Sequence, residues 1–265
     1  MKRTWAIFIV IALLAGTKFC LDYFYFDTKG KAAYRIENPP TKILQLPDAP
    51  TEGVGEIEIS PESIQQALFD LGIPVGDIDG KWGPRTRQAF CIWRELTGRT
   101  PDRNYPIDFE LREIAILAKV KKEFKLTDQY VRGLNISRTC QSVIWVRNKV
   151  ANEYEISTVS TGAPATPTDI GDFKVTWKVD RWYESISIPD GWMYRPMFFN
   201  KGQAVHGSEQ DTFVWWYPAS HGCVRMLGAF VDKLWASGFG VGDKVRVYGD
   251  WNPYTKDPIS IEELI

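Results

Sequence analysis

Both histidines of this 265-residue chain and one of its four cysteines fall in one short window. It runs Ala204-Val205-His206-Gly207-Ser208 and continues to Ser220-His221-Gly222-Cys223-Val224-Arg225-Met226. A cysteine with a histidine elsewhere in the sequence is what nucleophilic catalysis needs: a thiol to attack a carbonyl and an imidazole to take its proton. Each residue alone has a plainer explanation, because an isolated cysteine is most often a small buried hydrophobe and an isolated histidine a structural one. Their joint occurrence at this spacing favours the thiol enzyme. A zinc site would need Cys223, both histidines and a carboxylate. No acid stands at ligand spacing from His221, so no metal is expected.

The flanking pattern says how the window is positioned. His206 is far enough upstream of Cys223 to occupy a separate strand and face the thiol across a turn-back of residues 208–219. After Cys223, the apolar residues Leu227, Phe230, Val231, Leu234 and Trp235 recur at helical spacing and stop at Gly238. The spacing therefore predicts a thiol close before a helix N-terminus, where the macrodipole favours thiolate. Gly222 leaves room for substrate, and the N–H groups of Gly222 and Cys223 are expected to be free to point at an oxyanion.

Around this window, residues 135–250 read as a β-dominated domain. Residues 141–147 and 150–159 alternate about Asn148-Lys149 as a hairpin, residues 173–179 read as a strand, and residues 241–248 read as a turn and a closing strand. Residues 181–196, aromatic and irregular, read as a long loop or lid. Eleven Trp in all are read mainly as core and hairpin packing, with stacking around a cleft as the functional alternative.

The preceding stretch is helical. Ser60 offers an N-cap before Pro61, and Ile64, Ala67, Leu68 and Leu71 follow at helical steps up to Gly72. A glycine-punctuated turn over residues 74–84 leads to a second helix at 86–96, and residues 109–124 read as a third. Asp77-Ile78-Asp79-Gly80 has a superficial calcium-loop look, but Gln88 stands where the closing Glu belongs, so the turn is structural. Cys91 and Cys140 are read as two buried thiols, with pairing in an oxidising compartment as the alternative.

At the start, Met1-Lys2-Arg3 precedes an uncharged apolar run over residues 5–17 and then Lys18-Phe19-Cys20-Leu21. A basic start and an apolar stretch without an Ala-x-Ala site read as an uncleaved signal anchor of an exported, extracytoplasmic protein. Proline and glycine punctuate the next segment as a linker. The expected organisation is a signal peptide or anchor at 1–26, a linker at 27–58, helices at 59–119, a connector at 120–134, the β domain at 135–250 and a tail at 251–265. Formal net charge is −1, so no global field recruits nucleic acid.

Two family resemblances sharpen this. Ile64-Gln65, Leu68, Leu71-Gly72, Asp77-Ile78-Asp79-Gly80, Gly83-Pro84, Thr86 and Ala89-Phe90 resemble the small three-helix peptidoglycan-binding module, which implies contact with glycan strands. His206-Gly207, a spacer, and Ser220-His221-Gly222-Cys223-Val224-Arg225 resemble the L,D-transpeptidase (YkuD-like) catalytic family. Ser160-Thr161-Gly162, Thr166-Pro167 with Gly171-Asp172-Phe173, and Met193-Tyr194-Arg195-Pro196-Met197-Phe198-Phe199 are similar to other elements of that family. Together they imply an α+β multidomain protein, a small three-helix domain followed by a mainly-β catalytic domain of β-sandwich type.

The second resemblance implies acyl transfer between peptidoglycan stem peptides without a cofactor, inhibited by carbapenems. It makes Cys223 the acylated nucleophile and His206 its base, oriented by the Gly207 carbonyl. His221 and Gly222 would frame the oxyanion hole, Ser220, Tyr194 and Arg225 would contact substrate, and Arg225 would suit a stem-peptide carboxylate. A carboxypeptidase or other cysteine hydrolase of stem peptides, and a non-catalytic wall-binding protein, stay open beside it. The implied location is the cell envelope, anchored to the cytoplasmic membrane or secreted.

Overall fold

Among the described residues three helices precede the sheet, and local chemistry sets their ends. The computed structural model describes residues 59–186, 188–189 and 191–251, all within one compact unit, Ile43–Ile265. The expected signal segment and linker, and all but the first residue of the tail, lie outside the described residues, as does the unit Met1–Lys42. No helix among the described residues is long and apolar enough to cross a membrane.

Helix α1 (Pro61–Asp70) opens on a reciprocal capping box: the Ser63 N–H donates to Ser60 Oγ at 3.2 Å and the Ser60 N–H to Ser63 Oγ at 2.9 Å. Helix α2 (Pro84–Leu96) starts two residues before the periodicity suggested, with Pro84 in the first turn, where its missing N–H costs nothing. Helix α3 (Asp108–Lys119) is shorter than the 109–124 expected. Lys121 takes a φ of 49°, and the Lys122 N–H bonds back to the Leu117 carbonyl at 2.9 Å, which closes the helix.

The strands are β1 (Gly133–Ser137), β2 (Ser142–Asn148), β3 (Glu153–Ser160), β4 (Gly171–Lys174), β5 (Trp177–Lys178), β6 (Trp182–Glu184), β7 (Trp192–Asn200), β8 (Gln203–Gly207), β9 (Val224–Met226) and β10 (Lys244–Tyr248), with helix α4 (Gly228–Ala236) after β9. They form one sheet in the order β4-β10-β1-β2-β3-β9-β8-β7-β5, with β6 also on β7. This corrects the expected sandwich to a single curled sheet. Strand β3 pairs with β2 along most of its length and with β9 through Val159 and Ser160, so hydrogen bonding runs on through the bend instead of breaking into two layers.

The segment read as one strand over 173–179 is in fact two, at opposite ends of that order. Val175 N–H bonds to Asp243 O at 2.9 Å and Thr176 N–H to Phe198 O at 2.8 Å, so successive residues tie the two ends of the sheet together. The hairpin turn also lies later than Asn148-Lys149: Asn148 Oδ1 accepts from the Val150 and Ala151 N–H groups, and Asn152 takes a φ of 55°. The stretch 181–196 is not a free loop, because it supplies β6 and the first residues of β7.

Strand β2 is apolar on both sides because each side meets a layer. Val143 and Trp145 enter a core inside the curl with Leu134, Met197, Val205, Val224 and residues of α4. Ile144 and Val146 face a second core built with the three helices, including Ile64, Phe90, Trp93 and Ile114. Cys91 and Cys140, expected as two thiols, form a disulfide across this second core, with Cα atoms 5.3 Å apart. Tertiary packing brings α2 against the turn before β2, which residue spacing alone does not encode.

Candidate active site

The site is built on two adjacent strands. Lys201 and Gly202, with φ of 41° and 88°, make the tight turn from β7 into β8. Strands β8 and β9 run parallel, with Val205 beside Val224, His206 beside Arg225 and Gly207 beside Met226. Val205, Val224 and Met226 enter the inner core. By strand alternation, Ala204, His206, Cys223 and Arg225 therefore share the opposite face, with the ring and the thiol as diagonal neighbours. On that face Cys223 packs beside Met193, Phe198, Ala204 and Tyr183.

His206 is buried, and its Nδ1 lies 2.7 Å from the Gly207 carbonyl oxygen. A carbonyl only accepts, so Nδ1 carries the proton and Nε2 keeps its lone pair. Burial, with a smaller push from the Arg225 cation, lowers the His206 pKa to about 4. The Cys223 Sγ accepts from the Ala204 N–H at 3.4 Å and sits 3.8 Å from the Gly202 carbonyl. Burial raises the thiol pKa against the lowering by Ala204 N–H and Arg225. The resting pair is a neutral thiol and a neutral imidazole.

The expectation that a helix N-terminus lowers the thiol pKa is corrected. Strand β9 and Leu227 separate Cys223 from α4, and the Gly228 N–H at the helix start donates to Asp211 Oδ1 at 2.7 Å. Dipole effects fade within the first turn, so the helix end serves Asp211. The Gly222 N–H is likewise not free, since it donates to Ser220 Oγ at 3.2 Å.

Gly222, at a φ of 110°, makes the turn into Cys223. Ser220 Oγ also donates to the Cys223 carbonyl, and Thr168 Oγ1 donates to the Gly222 carbonyl at 2.9 Å while accepting from the Gly162 N–H at 2.9 Å. Thr168 went unrecognised in the sequence, although it stands next to Thr166-Pro167. Gln203 braces the same loop: its Oε1 accepts from the Asp169 N–H at 3.1 Å and its Nε2 donates to the Pro167 carbonyl at 3.2 Å.

His206, Ser220, His221, Cys223 and Arg225 line one cleft of about 260 Å³, together with Trp192, Met193, Glu209 and Phe213. That is just below the ~300–1,000 Å³ typical of pockets enclosing a whole small ligand, and suits one end of an extended chain. Arg225 has no carboxylate partner among the described residues, and His221 stands exposed at the rim. Tyr194 is not brought to this cleft. It pairs with Gly207 across β7 and β8, and its hydroxyl donates to Asp232 Oδ1 at 2.9 Å. No metal-holding cluster of His, Cys, Asp or Glu occurs among the described residues.

A family model, the YkuD L,D-transpeptidase catalytic domain, matches residues 133–247. No curated protein matches the chain. Among solved structures, the chain is similar to an L,D-transpeptidase from Xylanimonas cellulosilytica DSM 15894 at 26% identity, over 73% of this chain and 95% of that one, with a TM-score of 0.49. It is similar to an L,D-transpeptidase (Yku) from Stackebrandtia nassauensis at 22% identity, over 72% and 91%, with a TM-score of 0.44. For an L,D-transpeptidase from Mycobacterium smegmatis the values are 19%, 44%, 58% and 0.37. Residues 133–247, which include every residue gathered in the cleft, thus match the L,D-transpeptidase catalytic domain of the YkuD family.

Proposed function

We propose that this protein cross-links peptidoglycan stem peptides through a thioester on Cys223, with His206 as the base. The observation that carries this reading is the seating of His206 and Cys223 on one face of adjacent strands, in one cleft, within the segment that matches the transpeptidase family.

Because the resting pair is neutral, the thiol proton moves to His206 Nε2 as the Sγ–C bond forms, not beforehand. Sγ attacks the carbonyl of the third residue of the donor stem. The C–N bond to the terminal D-Ala then breaks as the imidazolium returns the proton to the leaving amine. The side-chain amine of a second stem attacks the thioester and loses a proton to His206. The C–S bond breaks, and the thiolate recovers that proton. His221 at the rim and the Cys223 N–H are the donors proposed for the developing oxyanion, and Arg225 is the proposed partner of a stem-peptide carboxylate.

The same reading places the protein in the cell envelope, exported and anchored by residues 1–26, with the helices of 59–119 as a domain meeting the glycan strand. The Cys91–Cys140 disulfide supports an oxidising compartment. The test is mass spectrometry of the full chain with a carbapenem and of muropeptides after incubation with sacculi. Wild type should form a covalent adduct and dimers linked through third residues, and Cys223→Ala should form neither. An adduct persisting in Cys223→Ala would sink the assignment, and D-Ala release without dimers would make the enzyme a hydrolase.

A further inference from the structure

The segment that joins the two halves of the site, residues 208–219, is held from behind by groups that lie outside the matched catalytic domain. Arg85, in the first turn of α2, donates to the Val214 carbonyl. Arg103, in the connection from α2 to α3, donates to the Trp216 carbonyl at 2.5 Å and to the Pro84 carbonyl at 3.3 Å. Its guanidinium lies over the Trp216 and Trp251 rings, 5.5 and 4.8 Å from their centroids, and the residue is only 5% exposed.

The sheet holds the next residues. Ser160 Oγ donates to the Tyr217 carbonyl at 2.7 Å, and the Thr161 carbonyl accepts both the Ala219 and Ser220 N–H groups at 3.0 Å. Helix α2 reaches this anchor as well. Gln88 Nε2 donates to the Gln141 carbonyl at 2.6 Å, and the Gln141 side chain brackets Thr161, donating to its Oγ1 at 2.9 Å and accepting from its N–H at 2.8 Å. Residues 214–220 are thus fastened on both sides, and the segment ends on Ser220, which holds the Cys223 carbonyl. At its other end Glu209 and Phe213 line the cleft.

Neither Arg85 nor Arg103 has a carboxylate partner among the described residues. Burial, aided by the Arg87 and Arg85 cations, pushes the Arg103 pKa down to about 9. A buried cation without a counter-ion is a poor device for stability alone. A planar guanidinium aimed at main-chain carbonyls is a good device for fixing where a loop stands.

We propose that Arg85 and Arg103 are positioning residues for acyl transfer: from the helical segment they hold residues 214–220 and so set where Ser220, His221 and Cys223 stand relative to His206. This rests on the transpeptidase reading above. The helical segment then forms the back of the active site, whatever else it binds.

The test uses the full chain with Arg103→Met, Arg103→Lys and Arg85→Met, the last at a less buried site that tolerates the change better. Thioester formation with a carbapenem is measured per folded molecule, alongside hydrogen exchange of residues 214–220. Displacing a reacting group by about 1 Å costs on the order of 100-fold. The Met variants should therefore acylate about 10–100-fold more slowly at saturation, with KM within about twofold and faster exchange confined to 214–220. Arg103→Lys, which keeps a charged donor but not the planar fork, should recover part of the rate. Folded Met variants with the wild-type rate and exchange, or a change in KM alone, would overturn the inference while leaving the transpeptidase reading intact. A wild type that forms no thioester would overturn both, and normal exchange over 214–220 in the variants would separately refute the grip.

Discussion

Removing the Cys91–Cys140 disulfide tests the joint between helices and sheet. The bond closes a loop of sequence separation 49. In the chain-entropy treatment, a loop of that length restricts the unfolded chain by about 4 kcal/mol at 25 °C. Both sulfurs are fully buried in the core shared by the three helices and the outer face of β2, so Cys→Ala at both positions leaves no unpaired polar group behind. The measurement is urea unfolding of wild type and of the Cys91→Ala/Cys140→Ala double variant, both with Cys223 intact. The double variant should lose about 4 kcal/mol, or roughly 8–16 °C in Tm for a folded unit of about 200 residues. A loss below about 1 kcal/mol would refute the reasoning, since the helices would then be held to the sheet equally well in a chain free to separate them. Cys140 is followed by Gln141, the bracket on Thr161, so the variant's acylation rate should fall as well.

Two further outcomes follow from the geometry of the site. His206 has a folded pKa of about 4 against an ordinary 6.5, so between those values the unfolded chain binds a proton that the native state does not. Its contribution, about 3 kcal/mol at ~1.4 kcal/mol per pH unit, is fully present above pH 6.5, shrinks as the pH falls and is gone by about pH 4. Urea unfolding from pH 4 to 7 should therefore show a steeper acid loss in wild type than in His206→Gln, and equal slopes would refute the burial argument. Gly162→Ala should slow thioester formation more than tenfold and cost about 1–3 kcal/mol of stability. The new Cβ would lie 2.2 Å from the Thr166 carbonyl oxygen, 2.7 Å from Thr168 N and 2.8 Å from Gly222 Cα, all main chain, so the loop before Cys223 must move. A wild-type acylation rate in that variant would show that the loop accommodates the methyl elsewhere.

The pattern of residues made some elements legible and misled on others. Helix α1 and its Ser60 cap, the start of α2 near Pro84-Thr86, and the helix after Cys223 all depend on contacts three or four residues apart, which a sequence displays directly. The end of α3 did not show, because Lys121 adopts a left-handed conformation that its residue type does not announce. The strand read over 173–179 failed for a different reason. Its alternation was real, but Val175 and Thr176 bond to opposite ends of the sheet, a partition made by partners some twenty to seventy residues away. Tyr194 was carried to the substrate side on its motif, whereas its partner Asp232 on α4 holds it outside the cleft.

What the sequence determined by itself is the chemistry on offer: one histidine, one thiol and a glycine before it, spaced for two strands and a turn. Those choices are local, fixed by residue type and by periods of two and 3.6. What only the tertiary structure decided is how that chemistry is tuned and held. Burial sets the pair neutral, Asp211 takes the helix N-terminus that the thiol was expected to use, and Cys91 finds Cys140 across a shared core. Arg85 and Arg103 reach carbonyls 129 and 113 residues away, contacts that no local period records and that exist only once the helices pack against the curled sheet.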